Sequence, residues 1–158
     1  MKEFKLDSID LLILDAVQNR GRIQRQELAK LTSLSLPAVS ERLRRLEKEN
    51  VIKEYAAVLD DKALGLHVIA FVIVNSLTSM AYKNLIQHVN ERANILECHS
   101  ITGVGSHILK IKVATTSHLE ALLSEIQNWP GVNSTQTSIV LSTYKETSRI
   151  PIDNITNN

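Results

Sequence analysis

Ser35-Leu36-Pro37-Ala38-Val39-Ser40-Glu41-Arg42-Leu43-Arg44-Arg45-Leu46-Glu47-Lys48-Glu49-Asn50 is the stretch that decides the fold. Val39, Leu43 and Leu46 recur at helical spacing and form one apolar stripe. At about 100° per residue, Pro37, Glu41, Arg44, Arg45 and Lys48 point away from that stripe, and Ser40 and Arg42 lie on its flanks. Ser35 suits an N-cap. Pro37 falls in the first turn, where a missing N–H costs nothing. Asn50 tolerates the left-handed conformation at a helix stop. The spacing predicts a helix packed on one side and cationic on the other.

Upstream, Asp7 or Ser8 can cap a first helix carrying Ile9, Leu12, Ile13, Ala16 and Val17, which Gly21 stops. A second helix is expected from Arg25 to Thr32, and Ser33-Leu34-Ser35 separates it tightly from the third. Three short helices with such a turn are what a helix-turn-helix requires: the third enters a major groove while the others brace it. Residues near its start reach base edges, so Pro37, Ala38, Ser40 and Glu41 are candidates, with Arg44 one turn on. An arginine can bind guanine through two hydrogen bonds. Arg45, Lys48, Arg22 and Arg25 are expected to hold phosphates of double-stranded DNA, fixing register without reading sequence.

Charge supports that reading in its distribution rather than its total. The chain of 158 residues has a net charge of +1. Between Arg20 and Lys53, nine Lys and Arg face four Glu, a local net of +5. Apolar residues make up 44% of the chain and only three residues are proline, so a real core is expected, with fraying confined to the ends.

Downstream, Val51 to Tyr55 reads as a short strand or wing, and Asp60-Asp61-Lys62 with Gly65 as a junction. The pattern then changes. His67 to Leu77 is a β-branched strand; Tyr82, Leu85, Ile86 and Val89 mark a helix; Ile95 to Thr102 is a strand. Gly103 to Ser106 makes a turn, Ile108 to Ala114 a strand with Leu109, Ile111 and Val113 on one face. Leu119, Leu122, Leu123 and Ile126 mark a helix stopped by Pro130-Gly131, and Gln136 to Thr143 reads as the last strand. The order β-α-β-β-α-β is the ferredoxin-like pattern. The fold class expected is therefore α+β: an N-terminal winged helix-turn-helix plus a C-terminal ferredoxin-like βαββαβ sandwich.

A lone cysteine, Cys98, excludes an internal disulfide and fits a reducing cytoplasm. Residues 1–7 hold no apolar signal core, and the longest apolar run, Val68 to Val74, is too short to span a bilayer as a helix. A cytoplasmic protein with no membrane partner is expected. Without a Gly-rich phosphate loop, nucleophile elbow or paired carboxylates, no enzyme and no cofactor are expected. A metal site at Cys98, His99 and His107 is disfavoured, because adjacent strand residues point to opposite faces. Cys98 reads as a small buried residue; His67, His88 and His118 as surface or boundary residues; Trp129 as packing on the sheet edge or a partner subunit.

These pieces together resemble the Lrp/AsnC, or feast/famine, family of regulators. The resemblance rests on residues 7–14, Asn19-Arg20-Gly21-Arg22-Ile23, Glu27-Leu28-Ala29-Lys30 and residues 34–47, all in order. It continues with Leu64-Gly65-Leu66, Thr102-Gly103 and Pro130-Gly131-Val132, and covers about residues 6–150. It implies a DNA-binding transcriptional regulator that dimerises through its C-terminal domains and assembles further into tetramers or octamers. It also implies a free amino acid effector near the hairpin between the second and third strands. The implied layout is a DNA-binding domain at 1–60, a linker at 61–66, an oligomerisation and effector-sensing domain at 67–150 and a flexible tail at 151–158.

The chain departs from the family in three places. Asn50 stands where glycine is usual, and Gln24 replaces a Ser or Thr cap, a loss of about 1 kcal/mol. The hairpin, often Thr-Gly-x-Tyr-Asp, is Thr102-Gly103-Val104-Gly105-Ser106. An ammonium group prefers a charged acceptor, and Ser106 offers a weaker one. The effector is then either not one of the usual amino acids or absent. Backbone groups of Ser100, Thr102, Gly103 and Gly105 could still hold a carboxylate, with Ser106 beside them; alternatively, the glycines only make a tight turn. Two rival readings remain: a small-molecule sensor acting through protein contacts without DNA, and an enzyme built on the ferredoxin-like domain.

Overall fold

The computed structural model describes residues 5–76 and 81–152, so Leu77 and tail residues 153–158 of the readings above lie outside the described residues. The chain divides into two compact units. The first runs to Val58 and takes back the chain from Glu146 onward; the second is Leu59–Lys145.

In the first unit, helix α1 spans Ser8–Asn19. Asp7 is its cap: the Asp7 carboxylate accepts from Asp10 N at 2.8 Å, and Asp7 N donates back to Asp10 Oδ2 at 3.2 Å. Arg20 ends the helix one residue before Gly21. Helix α2 spans Arg25–Thr32 and closes on Ser33 in the left-handed conformation (φ 54°); the Gln24 side chain makes no capping bond. Helix α3 spans Leu36–Lys48, with Ser35 Oγ accepting from Ala38 N at 3.3 Å. Asn50 follows with φ 55°, the backbone state its side chain tolerates. Ile13, Leu28, Val39, Leu43 and Leu46 bury together with Ala16 and Ile52.

Val51–Tyr55 is not a strand in this structure. Val51 N and Ile52 N both return to Leu46 O (2.9 and 3.1 Å), which closes α3 and drops Ile52 into the core. Past Lys53 the chain runs irregularly to Asp60. Farther on, Gln18 Nε2 donates to Ile150 O (2.9 Å) while Ile150 N donates to Gln18 Oε1 (3.1 Å), and Arg149 pairs with Asp15 at 3.0 Å. These contacts tie the C-terminal segment to α1.

In the second unit, residues 61–66 make a tight turn. Asp60 Oδ1 accepts from Lys62 N and Ala63 N, and Asp61 pairs with the buried amine of Lys112. Four strands and two helices follow: β1 Val68–Ser76, α4 Ala81–Asn90, β2 Ile95–Ser100, β3 His107–Val113, α5 Thr116–Gln127 and β4 Val132–Ile139. The sheet order is β2-β3-β1-β4, antiparallel throughout. Ala70, Val72 and Val74 of β1 and Leu109, Ile111 and Val113 of β3 bury with Leu85, Leu119, Leu122 and Ile126 of the helices. The alternation of period two puts these residues on one face, as the sequence pattern requires.

Some boundaries differ from expectation. β4 begins four residues before Gln136 and ends at Ile139, not Thr143. Its extent is dictated by β1, against which Ala70 faces Ile139 and Ser76 faces Val132. Beyond the ladder Leu141 and Tyr144 are exposed. β2 stops at Ser100 because Ile101 N turns in to Ser106 O (3.0 Å), and β3 starts at His107 and ends at Val113, before Ala114. Trp129 is not on the sheet edge: it is buried in the core and stacks on His88, ring centroids 5.2 Å apart. Cys98 faces Leu109 and packs against that core, which pushes its thiol pKa up, while His99 on the other face is exposed.

Candidate nucleic-acid interface and hairpin site

The apolar stripe of α3 fixes what the helix shows. With Val39, Leu43 and Leu46 buried, Pro37, Glu41, Arg44, Arg45 and Lys48 are exposed, and Ala38, Ser40 and Arg42 are half-buried. Arg22 and Arg25, ahead of and at the start of α2, are exposed as well. Among the described residues Arg22, Arg25 and Lys48 form no ion pair.

Two other arginines are engaged. Arg44 meets Glu41 one turn back with both prongs, Nη2–Oε1 at 2.8 Å and Nε–Oε2 at 3.1 Å. The contact lowers the Glu41 pKa and raises that of Arg44. Both side chains are largely in water, where such a pair is weak and a guanine edge or phosphate can displace it. Arg45, expected at a phosphate, sends Nη2 inward to Asp10 at 2.6 Å.

Asp10 is the residue that sequence reasoning passed over. It is a fully buried carboxylate. Arg42 Nη1 donates to its Oδ1 at 2.7 Å, Arg45 to its Oδ2, and Asp7 N to Oδ2. Arg42 Nη1 also pairs with Asp7 at 2.7 Å. For Asp7, desolvation pushes the pKa up, but bonds from Asp10 N and Arg42 outweigh it and hold the pKa below the usual value. A buried carboxylate is costly unless paired, and three donors meet this one. A signal was present: Asp10 sits three residues before Ile13, on the apolar side of α1, where a charge needs a partner.

The hairpin residues run from the last residue of β2, Ser100, through the loop to Ser106 before β3. Ser100, Thr102 and Gly103 are exposed; Gly105 and Ser106 are half-buried. Gly103 and Gly105 have φ of 96° and 89°. A Cβ on Gly105 would lie 2.3 Å from Ile73 Cγ2, whereas one on Gly103 would meet nothing within 4 Å. Ser106 faces inward: its N–H donates to Val74 O at 2.8 Å, and its Oγ lies 2.9 Å from Val74 O and 3.2 Å from Ser76 Oγ. Buried His107 places Nδ1 3.0 Å from Ser106 Oγ and its ring nearly perpendicular to that of Tyr82, 4.7 Å between centroids. Burial holds its pKa below the usual value. Ser76 and Tyr82 were not expected here; β1 and α4 bring them to the hairpin's base, beside His107 at the start of β3.

Comparison with known proteins agrees with this geometry. Residues 6–53 match the winged helix-turn-helix DNA-binding family, and residues 67–150 match the Lrp/AsnC ligand-binding domain. The chain belongs to the Lrp/AsnC family. It is 35% identical over 147 residues to the HTH-type transcriptional regulator FL11 of Pyrococcus horikoshii, covering 93% of this chain and 97% of that one. It is also 35% identical over 150 residues to the leucine-responsive regulatory protein of Escherichia coli, covering 93% and 92%. A transcriptional regulator of Neisseria meningitidis, solved as an L-methionine complex, superposes with a TM-score of 0.91 at 27% identity, over 96% of this chain and all of that one. This Lrp/AsnC protein is therefore a helix-turn-helix transcriptional regulator, and both curated relatives carry regulator names rather than enzyme names. Among its described residues no helix is long and apolar enough to cross a membrane.

Proposed function

We propose that this regulator reads a specific DNA site through α3 as a homo-oligomer, at least a dimer, in the cytoplasm. One observation carries the reading: α3 is anchored by Val39, Leu43 and Leu46 while Pro37, Glu41, Arg44 and Lys48 stay exposed. Pro37, Ala38, Ser40, Glu41 and Arg44 face base edges, and Arg22, Arg25 and Lys48 hold phosphates. The uncovered sheet face, with Phe71 exposed and Ile69, Ile73 and Ile108 half-buried, supports self-association.

The hairpin Ser100–Ser106 responds to a small molecule of amino acid type, a reading supported by the L-methionine complex of the Neisseria relative. Ser106 has no charge for an ammonium group and already bonds to β1, so the ligand here is held mainly through its carboxylate by exposed backbone N–H groups.

Gel shifts on a duplex selected from random sequence test the DNA reading. Binding should weaken steeply with salt, and Arg44→Ala should cost about 1–3 kcal/mol with relaxed selectivity. Salt-independent association, or an Arg44→Ala variant that binds like the parent, refutes it. Thermal shift with each amino acid at millimolar concentration tests the effector reading; the absence of any stabilisation refutes it.

A further inference from the structure

The charged cluster beneath α3 does more than satisfy a buried group. Aliphatic contacts such as Leu43 and Leu46 against α1 and α2 are non-directional, and a helix held by them alone can roll or slide. Charge-assisted hydrogen bonds are directional. Asp10 receives two of them from successive turns of α3, Arg42 at 2.7 Å and Arg45 at 2.6 Å, across 32 and 35 residues of sequence. Arg42 is held a second time by Asp7, which itself caps α1. The roll of α3 and the start of α1 are thus locked in one network, and Arg45 is drawn to the flank while Arg44 keeps the outward direction.

We propose that Asp10 is the positioning residue of DNA reading: by gripping Arg42 and Arg45 it sets the roll of α3 and withholds the Arg45 guanidinium from phosphate contact. Selectivity gains from both effects. The base-reading residues are aimed, and a cation that would favour any duplex equally is kept away from the backbone. This inference rests on the DNA reading above. It differs from a plain stability role, which would weaken all binding in parallel and leave the number of phosphates contacted unchanged.

The test measures binding of the full chain to the selected duplex and to a scrambled duplex over a salt series. Asp10→Asn keeps the side-chain shape and removes the charge. Its salt slope should steepen by about 0.9 per protomer as Arg45 reaches a phosphate. Its preference for the selected duplex should fall by roughly 5- to 150-fold, the worth of one bidentate base contact. Arg45→Gln should lose selectivity at the parental slope, and the double variant should return to the parental slope.

Asp10→Asn at the parental slope overturns the proposal. So does an Arg45→Gln slope shallower by about 0.9, which would make Arg45 an ordinary phosphate contact; this arm stands even if Asp10→Asn fails to fold. A parent with no salt-dependent binding refutes the DNA reading itself, a result the variants cannot mimic.

Discussion

Replacing Gly105 with alanine tests whether the hairpin glycine serves the fold or a ligand. The added Cβ would sit 2.3 Å from Ile73 Cγ2 and 3.2 Å from Val74 O. Ordinary carbon contacts lie at about 3.5–4.0 Å, so Ile73 must give by more than 1 Å or the turn must lift from β1. Overpacking of this kind costs about 1–3 kcal/mol. The positive φ adds about 1–2 kcal/mol for a residue with a side chain. Together the variant should lose about 2–5 kcal/mol. Gly103→Ala supplies the control, since it shares the positive φ but meets no atom within 4 Å, and it should lose only about 1–2 kcal/mol. The second unit holds the chain's one tryptophan in its core, so Trp129 fluorescence during urea unfolding reports on that unit. Equal losses in the two variants, or a neutral Gly105→Ala, would refute the close-packing argument and return the glycine to the ligand.

Leu46→Ala removes a fully buried side chain where α3 meets the first core, and unfolding of that unit by circular dichroism should show a loss of about 2–5 kcal/mol. His107 gives a pH dependence. Burial depresses its pKa in the folded chain, so the unfolded chain binds the proton first as pH falls. The stability it contributes is complete above the unfolded value of about 6.5 and is lost as pH falls toward the folded one, at no more than about 1.4 kcal/mol per pH unit. Thermal unfolding from pH 7.5 to 5 should show the decline, and His107→Gln should flatten it; an unchanged slope in the variant would refute the assignment.

The elements that could be read from sequence are those decided by their own residues. α2 was legible to its last residue, and Asp7, Ser35 and Asn50 act as the punctuation their chemistry predicts. β4 was misplaced because its start, Val132-Asn133-Ser134, reads as a polar turn, and only pairing with β1 makes it a strand. The hairpin's glycine was ambiguous for the same reason: Ile73, 32 residues away, decides its role. Asp10 escaped notice because Arg42 and Arg45 are its neighbours only in space.

That last point changes what the basic patch can do. Counted along the chain, the window Arg20–Lys53 carries +5, which at one phosphate per excess charge would give a dimer a salt slope near −9. In the folded unit Asp7 and Asp10, outside that window, lie against Arg42 and Arg45, and Arg44 leans on Glu41. Arg20 also pairs with Glu27, and of the five cations then left, Arg22, Arg25 and Lys48 are the ones assigned to the backbone, about six phosphates per dimer and a slope near −5. A slope near −9 that persists in a Lys30→Gln, Lys53→Gln double variant would mean that the paired arginines leave their carboxylates on binding, and the withholding of Arg45 would fall with it.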